Sequence, residues 1–487
     1  MSADRITPVG AGVARGDTSP AISAIQMFVG LIVLPVLIVV LPIDSTSSDR
    51  TYIIVILQWG IIGYSGWRLA QIVWLAEPRW VALSFWAFSY VWLGVAGLAQ
   101  VMYGKNPLLT LIDDDLALRQ MLVILLGFIA YDVATYVVRQ SPRLRGVAQP
   151  GRELAIKRVV SVGAVGVLIT PLTISALGGV ETLFSNREAI NQQLTSTGLY
   201  GPSGKAAGGL VLAFGQGLPF VGLVGLVWIF CSNSRARKSV SVWVLLAALV
   251  FSNLLINNPI SNARYWFFTI VLTFVFSVTR LQGRPGIVGV IIAYVLAATF
   301  AFPYLDAFRY DRPVASLGSS PAEFFVRKTD YGAVTDIGLV IRLTDREGFQ
   351  GGWQMLGVAT FWVPRALWSE KPENTGLLIA RDTNFPNENL DSPLWAEGFI
   401  DFGWLGVALV LGLFGLVSAS LDQRYLVARR GGAVVVGGAV PVILIVAPVF
   451  AAYEAILIRG SLLQAMSRIV VVIGVLWFMS RRARAPS

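Results

Sequence analysis

The chain has no histidine and a single cysteine, Cys231. Any chemistry therefore falls to carboxylates, guanidinium groups, hydroxyls and backbone. The missing imidazole removes the commonest general base and metal ligand, and one thiol excludes intrachain disulfides, zinc clusters and iron–sulfur sites. Three stretches gather the remaining reactive types. Residues 351–376 read GGWQMLGVATFWVPRALWSEKPENTG. Trp353, Leu356, Ala359, Trp362 and Val363 recur near helical spacing until Pro364 removes a backbone donor. The pattern predicts a short amphipathic helix lying at the membrane surface, with tryptophans at headgroup depth. Arg365 follows at once, then Trp368, Glu370 and Lys371. A guanidinium held among aromatic rings can meet phosphate oxygens with paired hydrogen bonds and never loses its charge. Such a group suits a lipid diphosphate; plain interfacial anchoring of Arg365 and Lys371 is the other reading.

The second stretch is NNPISNARYWFF, residues 257–268. Asn257, Asn258 and Pro259 stop one apolar run, and Arg264, Tyr265 and Trp266 start the next. Arginines at span ends snorkel towards water, but this turn is so tight that Arg264 has little room to do so. The third is NFPNENLDSPLWAEGFIDFGWLG, residues 384–406, which offers Glu388, Asp391, Glu397 and Asp401. Glu397 and Asp401 are four apart and would share one helix face. Like charge and desolvation raise carboxyl pKa values, so one of these groups could take a proton from a sugar hydroxyl as general base. The alternative is a solvated loop in which Asp391 caps a turn ahead of Ser392 and Pro393. Asp132, Glu454 and Arg468 lie inside apolar runs, where ionisable groups are costly; they read mainly as ties between helices. Asp113, Asp114 and Asp115 read as a solvated loop ahead of a helix N-terminus.

The elements that position these residues follow from composition. Hydrophobic residues make up 55% of the 487, and charged residues 14%, against roughly 25% charged in ordinary globular chains. A soluble core cannot absorb that much apolar surface, so the expected class is an all-α polytopic membrane protein. With roughly 20 residues per span, about twelve transmembrane helices are expected: 21–43, 51–67, 81–102, 119–138, 159–177, 207–231, 240–258, 265–280, 286–303, 402–421, 432–454 and 463–480. The first is too long, and lacks a cleavage site, for a signal peptide. The net charge of +10 would suggest nucleic acid in a soluble protein; here it reads as topology. With the N-terminus inside, 21 basic residues fall on cytoplasmic segments and 8 on short outer ones, with nine more in one long loop. The expected layout is a cytoplasmic tail at 1–20, helices one to nine within 21–303, a large extracytoplasmic catalytic loop at 304–401, helices ten to twelve within 402–480, and a cytoplasmic tail at 481–487. That loop carries 14 of the 28 acidic residues. Neither a P-loop nor a strand-bound GxGxxG is present, so nucleotide-driven pumping is not expected.

The VPRALWSEKP string, the NPISNARYW turn, and the later carboxylate followed by FGWLG resemble bacterial polysaccharide polymerases of the Wzy type, which join lipid-linked oligosaccharide repeat units in O-antigen and exopolysaccharide synthesis. The resemblance implies a GT-C-like fold in the bacterial plasma (inner) membrane and an inverting, metal-independent transfer without cofactor. It implies undecaprenyl-diphosphate-linked oligosaccharides as donor and acceptor, and a chain-length regulator as partner. It places Arg264 and Arg365, and more loosely Lys371, on the departing diphosphate, with Tyr265, Trp368, Asp391 and Glu388 as substrate-binding neighbours. Related O-antigen ligases use a loop histidine. Its absence here favours a polymerase and puts activation of the acceptor on Glu397 or a neighbour. Two other classes stay open. A flippase or other secondary transporter would place its site near the midplane. A transferase using polyprenyl-monophosphate sugars would need an acidic pair in the first outer loop, where only Asp44 and Asp49 stand.

Overall fold

The computed structural model describes residues 19–42, 51–141, 151–184, 205–260, 262–302, 320–363, 365, 367–386, 390–430 and 440–482. It is about 81% helical. Among the described residues, nine helices are long and apolar enough to cross a membrane. They are α1 (Pro20–Val40), α2 (Tyr52–Leu75), α3 (Trp80–Tyr103), α4 (Asp114–Gln140), α5 (Ile156–Ala176), α6 (Lys205–Ser232), α9 (Arg284–Ala301), α14 (Leu394–Arg430) and α16 (Leu462–Met479). Three further helices overlap the remaining expected spans but are shorter, α7 (Val240–Ile256), α8 (Arg264–Ser277) and α15 (Ile443–Arg459), of 17, 14 and 17 residues, and α15 begins eleven residues later than the expected 432–454. At 1.5 Å per residue, α8 is only about 21 Å long, less than a hydrocarbon core of roughly 30 Å.

Local chemistry sets several helix ends. Asp113 caps α4 by accepting from the Leu116 amide at 2.9 Å, and Asp114 accepts from the Thr51 amide at 3.0 Å just ahead of α2. The three consecutive aspartates thus begin a helix, as their sequence position suggests. The long α14 is broken. Phe402 has φ −140° and Gly403 has φ 59° with ψ −137°, a conformation open essentially to glycine alone. The bend is so sharp that a Cβ on Gly406 would lie 1.9 Å from the Gly398 carbonyl oxygen. The FGWLG string is therefore a backbone-contact motif: its glycines let 394–401 fold against the start of the following span.

Among the described residues two large apolar cores result, beside a small cluster of Leu177, Leu183 and Ile256. One joins α1–α4 with α9, α14 and the helices of the 320–401 region; the other joins α5–α7 with α16. Helices α8 and α15 supply residues to both cores and pack against each other, with the Thr269 hydroxyl donating to the Ala452 carbonyl at 3.2 Å. Helix α3, with few polar side chains, is buried from Trp80 to Val101, as a helix without a polar face must be.

The region expected to be a loop folds differently. Its described part, 320–401, forms α10 (Pro321–Arg327), α11 (Ala333–Glu347), α12 (Trp353–Ala359), α13 (Thr375–Asp382) and the first two turns of α14. Helix α11 is buried through Val334, Ile337 and Ile341, so this segment belongs to the main core rather than hanging outside it. Trp395 docks against α4: its indole donates to the Ile124 carbonyl at 3.2 Å, and a Cβ on Gly127 would lie 2.0 Å from the indole nitrogen. The expected surface helix is also shorter than its apolar spacing suggests. It ends at Ala359, five residues before Pro364, whose ring disfavours helix in the residue it follows. The exposed Trp362 lies past the helix end.

Candidate functional site

Four ionisable side chains from four separate parts of the chain meet where α8 begins and α15 ends. Arg264 is the first residue of α8 and Arg459 the last of α15. Asp330 sits in a single 3-10 turn, Thr329–Tyr331, just before α11. Asp391 lies in the extended segment leading into α14. Asp330 bridges the arginines: one oxygen pairs with Arg264, the other accepts from Arg459 at 2.9 Å. The Arg459 Nε also donates to the Asp330 carbonyl at 3.1 Å, and Arg459 pairs with Asp391.

Aromatic rings and carbonyls fix this group. Arg264 donates to the Phe302 carbonyl at 2.7 Å, and the Trp92 indole donates to the Asp330 carbonyl at 2.9 Å. The Arg459 guanidinium lies 4.3 Å from the centre of the Tyr265 ring, and Tyr265 stacks on Phe302 at 5.0 Å. Such cation–ring contacts strengthen as water is excluded, and Arg264 is only 8% exposed. Burial pushes the Asp391 carboxyl from its ordinary 3.8 up to about 7, against the pull of Arg459. Asp336, one turn into α11, is held well above the carboxylate range by burial and by the charge of Asp391. Of the residues expected to form a site, the structure thus assembles Arg264, Tyr265 and Asp391. It adds Asp330, Asp336 and Arg459, which no spacing signal singled out. Arg459 reads in sequence as one more basic residue at a span end.

The other expected residues have different partners. Arg365 donates to the carbonyls of Lys371 at 2.6 Å and Pro372 at 2.8 Å. Lys371 donates to those of Phe361 at 2.8 Å and Val363 at 2.9 Å. Both cations therefore tie their own turn together through backbone carbonyls. Burial and Arg365 lower the Lys371 pKa. Trp368 packs edge-on against Trp353 at 5.5 Å, beside a polar groove of about 590 Å³ that includes Arg346, Arg381, Glu373 and Lys371. Glu388 lies outside the described residues.

Glu397 and Asp401 do not act on a common partner. Glu397 accepts from the Thr375 hydroxyl at 3.0 Å and from the Leu462 amide, at the start of α16, at 3.2 Å. Asp401 accepts from the Gln354 and Met355 amides at 3.1 and 2.8 Å, at the start of α12. Further along the same helix, Asp422 accepts from the Val81 and Ala82 amides at 3.1 and 3.0 Å, at the start of α3. Three carboxylates of α14 thus supply the acceptors that the first amides of three other helices lack.

The remaining intramembrane groups are ties, as their setting suggests. Asp132 pairs with Arg68 at 2.6 Å and accepts from Tyr64. Arg468 donates to Gln216 at 2.9 Å, with its guanidinium 4.4 Å from the Trp266 ring centre. Glu454 differs. It is fully buried, and neither carboxyl oxygen has a hydrogen-bond partner among the described residues. No family model, curated protein or solved structure matches the chain.

Proposed function

We propose that the chain is a membrane glycosyltransferase that polymerises lipid-diphosphate-linked oligosaccharides, with the Arg264–Asp330–Arg459–Asp391 cluster as its reaction centre. The observation that carries the reading is this pairing of a buried arginine, Arg264, and a largely buried one, Arg459, with two carboxylates where α8 and α15 pack together. A cation at a helix N-terminus, where Arg264 stands, opposes the helix dipole; its position suits an incoming anion better than it suits the helix. In the bacterial plasma membrane, with both termini cytoplasmic, this cluster would lie towards the outer face, where undecaprenyl-diphosphate-linked repeat units would be presented.

The chemistry asks for little more than this. An acceptor sugar hydroxyl attacks the anomeric carbon of the donor, the bond from that carbon to the phosphate oxygen breaks, and the linkage inverts. The leaving diphosphate keeps the bonding electrons, and Arg264 and Arg459 stabilise the charge that develops on it. A preorganised donor of this kind is worth about 2.7–4 kcal/mol at the transition state. The hydroxyl proton passes to Asp391, whose pKa matches a general base working near neutral pH. Glu397, bonded to Thr375 and the α16 amide, acts in this reading as a positioning residue rather than the base. Arg365 and Lys371 shape the turn beside the Trp353 groove, where sugar rings can meet an aromatic face.

The test is to give the purified protein a lipid-linked repeat unit in detergent or vesicles, without metal or nucleotide. A ladder of lengthened lipid-linked products is the expected result. Transfer of intact, unextended substrate across the vesicle membrane, with no ladder, would overturn the reading in favour of a flippase. Transfer of glycan to a different lipid acceptor would favour a ligase.

A further inference from the structure

A second candidate site lies on the other bundle, away from the ionic cluster. Helices α5, α6 and α16 enclose an apolar groove of about 490 Å³, lined by Val165, Phe214, Leu218, Val471, Gly474 and Phe478 among others. Val165, Phe214 and Phe478 are 49%, 42% and 51% exposed, so the groove lies on the outside of the bundle. An apolar cleft beside lipid suits a hydrocarbon chain, and its end decides which lipid.

Ser161 lines that end, and on the same helix Lys157 and Arg158 stand one turn before it, facing the same side. Arg158 donates to the Phe478 and Ser480 carbonyls at 3.1 and 2.7 Å and lies 5.7 Å from the Phe478 ring centre. Just beyond, β1 (Arg152–Leu154) pairs antiparallel with β2 (Ser480–Arg482), placing Arg152 opposite Arg482 and Glu153 opposite Arg481. Arg152 is fixed over the Trp477 ring at 4.5 Å and donates to the Ser480 hydroxyl at 2.5 Å. Lys157 and Arg158 precede Ser161 on α5, and Arg152, Arg481 and Arg482 lie on the strand pair that follows Phe478; among the described residues Glu153 is the carboxylate that pairs with one of these five basic residues. Arginines capping the last carbonyls of a helix are stabilising in themselves, but that role does not account for the lysine, for the surplus of charge, or for the apolar groove that Ser161 and Phe478 line.

We infer that this groove binds one anionic phospholipid, with an acyl chain between α5, α6 and α16 and the phosphate against Lys157 and Arg158. The geometry also supplies a clean probe. A Cβ built on Gly474 meets nothing within 4 Å, so Gly474→Phe fills the channel without clashing at its base. Lys157→Gln removes a charge whose side chain makes no hydrogen bond or ion pair among the described residues.

The experiment is native mass spectrometry of the full chain, titrated with phosphatidylglycerol or phosphatidylcholine of identical acyl chains. Wild type is expected to hold one phosphatidylglycerol in preference to phosphatidylcholine. Lys157→Gln is expected to cut that preference about fivefold, the effect of one basic group near an anionic headgroup. Gly474→Phe is expected to lose the tightly held lipid, with thermal unfolding in lipid-free detergent unchanged. Equal retention of the two lipids by wild type would overturn the inference. So would a Lys157→Gln protein that keeps the full preference, or a folded Gly474→Phe protein that binds like wild type.

Discussion

Arg264 and Arg459 owe their place in the proposed chemistry to what they face. Each is held by a carbonyl and by Asp330, so neither must pay for ordering when a diphosphate arrives. Replacing either by alanine is expected to lower the polymerisation rate about 100- to 1,000-fold, measured as product ladders from purified protein. Arg264→Lys is not expected to restore it, because a lysine cannot contact Asp330 and the Phe302 carbonyl through one planar fork. Asp391 makes a prediction about pH. A carboxyl lifted to about 7 is mostly protonated below that value, so the rate should climb as pH rises through about 7. Asp391→Asn should remove that limb along with most of the activity, while Glu397→Gln should keep the limb whatever its effect on rate. Persistence of the limb in Asp391→Asn would place the base elsewhere. The stability trend has the opposite sense. The folded state holds this proton more tightly than the unfolded chain, so the contribution is complete below about 4 and fades as pH rises through about 7.

At the scale of elements, α14 organises its neighbours. Asp422 satisfies two amides at the buried start of α3, and alanine there would leave both without an acceptor. Asp422→Ala is expected to destabilise the protein by about 1–3 kcal/mol, read as a lowered thermal unfolding midpoint in detergent. Gly403 tests the break in the same helix. A side chain at φ 59°, ψ −137° is strained, and its Cβ would come 2.8 Å from the Phe349 ring, so Gly403→Ala is expected to cost about 1–3 kcal/mol. Glu454 should behave in the reverse sense. A buried carboxyl without hydrogen-bond partners is costly, and Glu454→Leu is expected to raise the unfolding midpoint, as apolar replacements of buried ionisable groups often do.

For the whole molecule, the sole cysteine offers a direct test of orientation. Cys231 is exposed near the end of α6, next to Arg235, Arg237 and Lys238, which the charge bias assigns to the cytoplasmic side. A membrane-impermeant maleimide should label it in inside-out vesicles and leave it unlabelled in intact spheroplasts. Labelling from the outer face would invert the topology and move the proposed reaction centre to the cytoplasmic side.

The class of the protein could be read from its residues alone, because 55% apolar composition in long runs leaves the chain no solvent but lipid. The all-helical character followed for the same reason: a span must satisfy its own backbone, although some bounds moved, as with α14 at Leu394–Arg430 against 402–421 and α15 at Ile443–Arg459 against 432–454. The glycines of FGWLG and the aspartates at 113–115 also act within a turn or two of their own position, and their neighbourhood hinted at both. The site was different. Arg264 and Asp391 stood out by residue type, but Asp330 and Arg459 lie 66 and 195 positions from Arg264 in the chain and carry no periodic signal. Which arginine meets which carboxylate depends on α8 packing against α15 and on α11 burying itself in the core. That packing moved Arg365 and Lys371 into a turn of their own and turned Glu397 towards an amide of α16. Charge pairing acts through space over a few ångströms, and only the assembled bundles brought these four charges within that range.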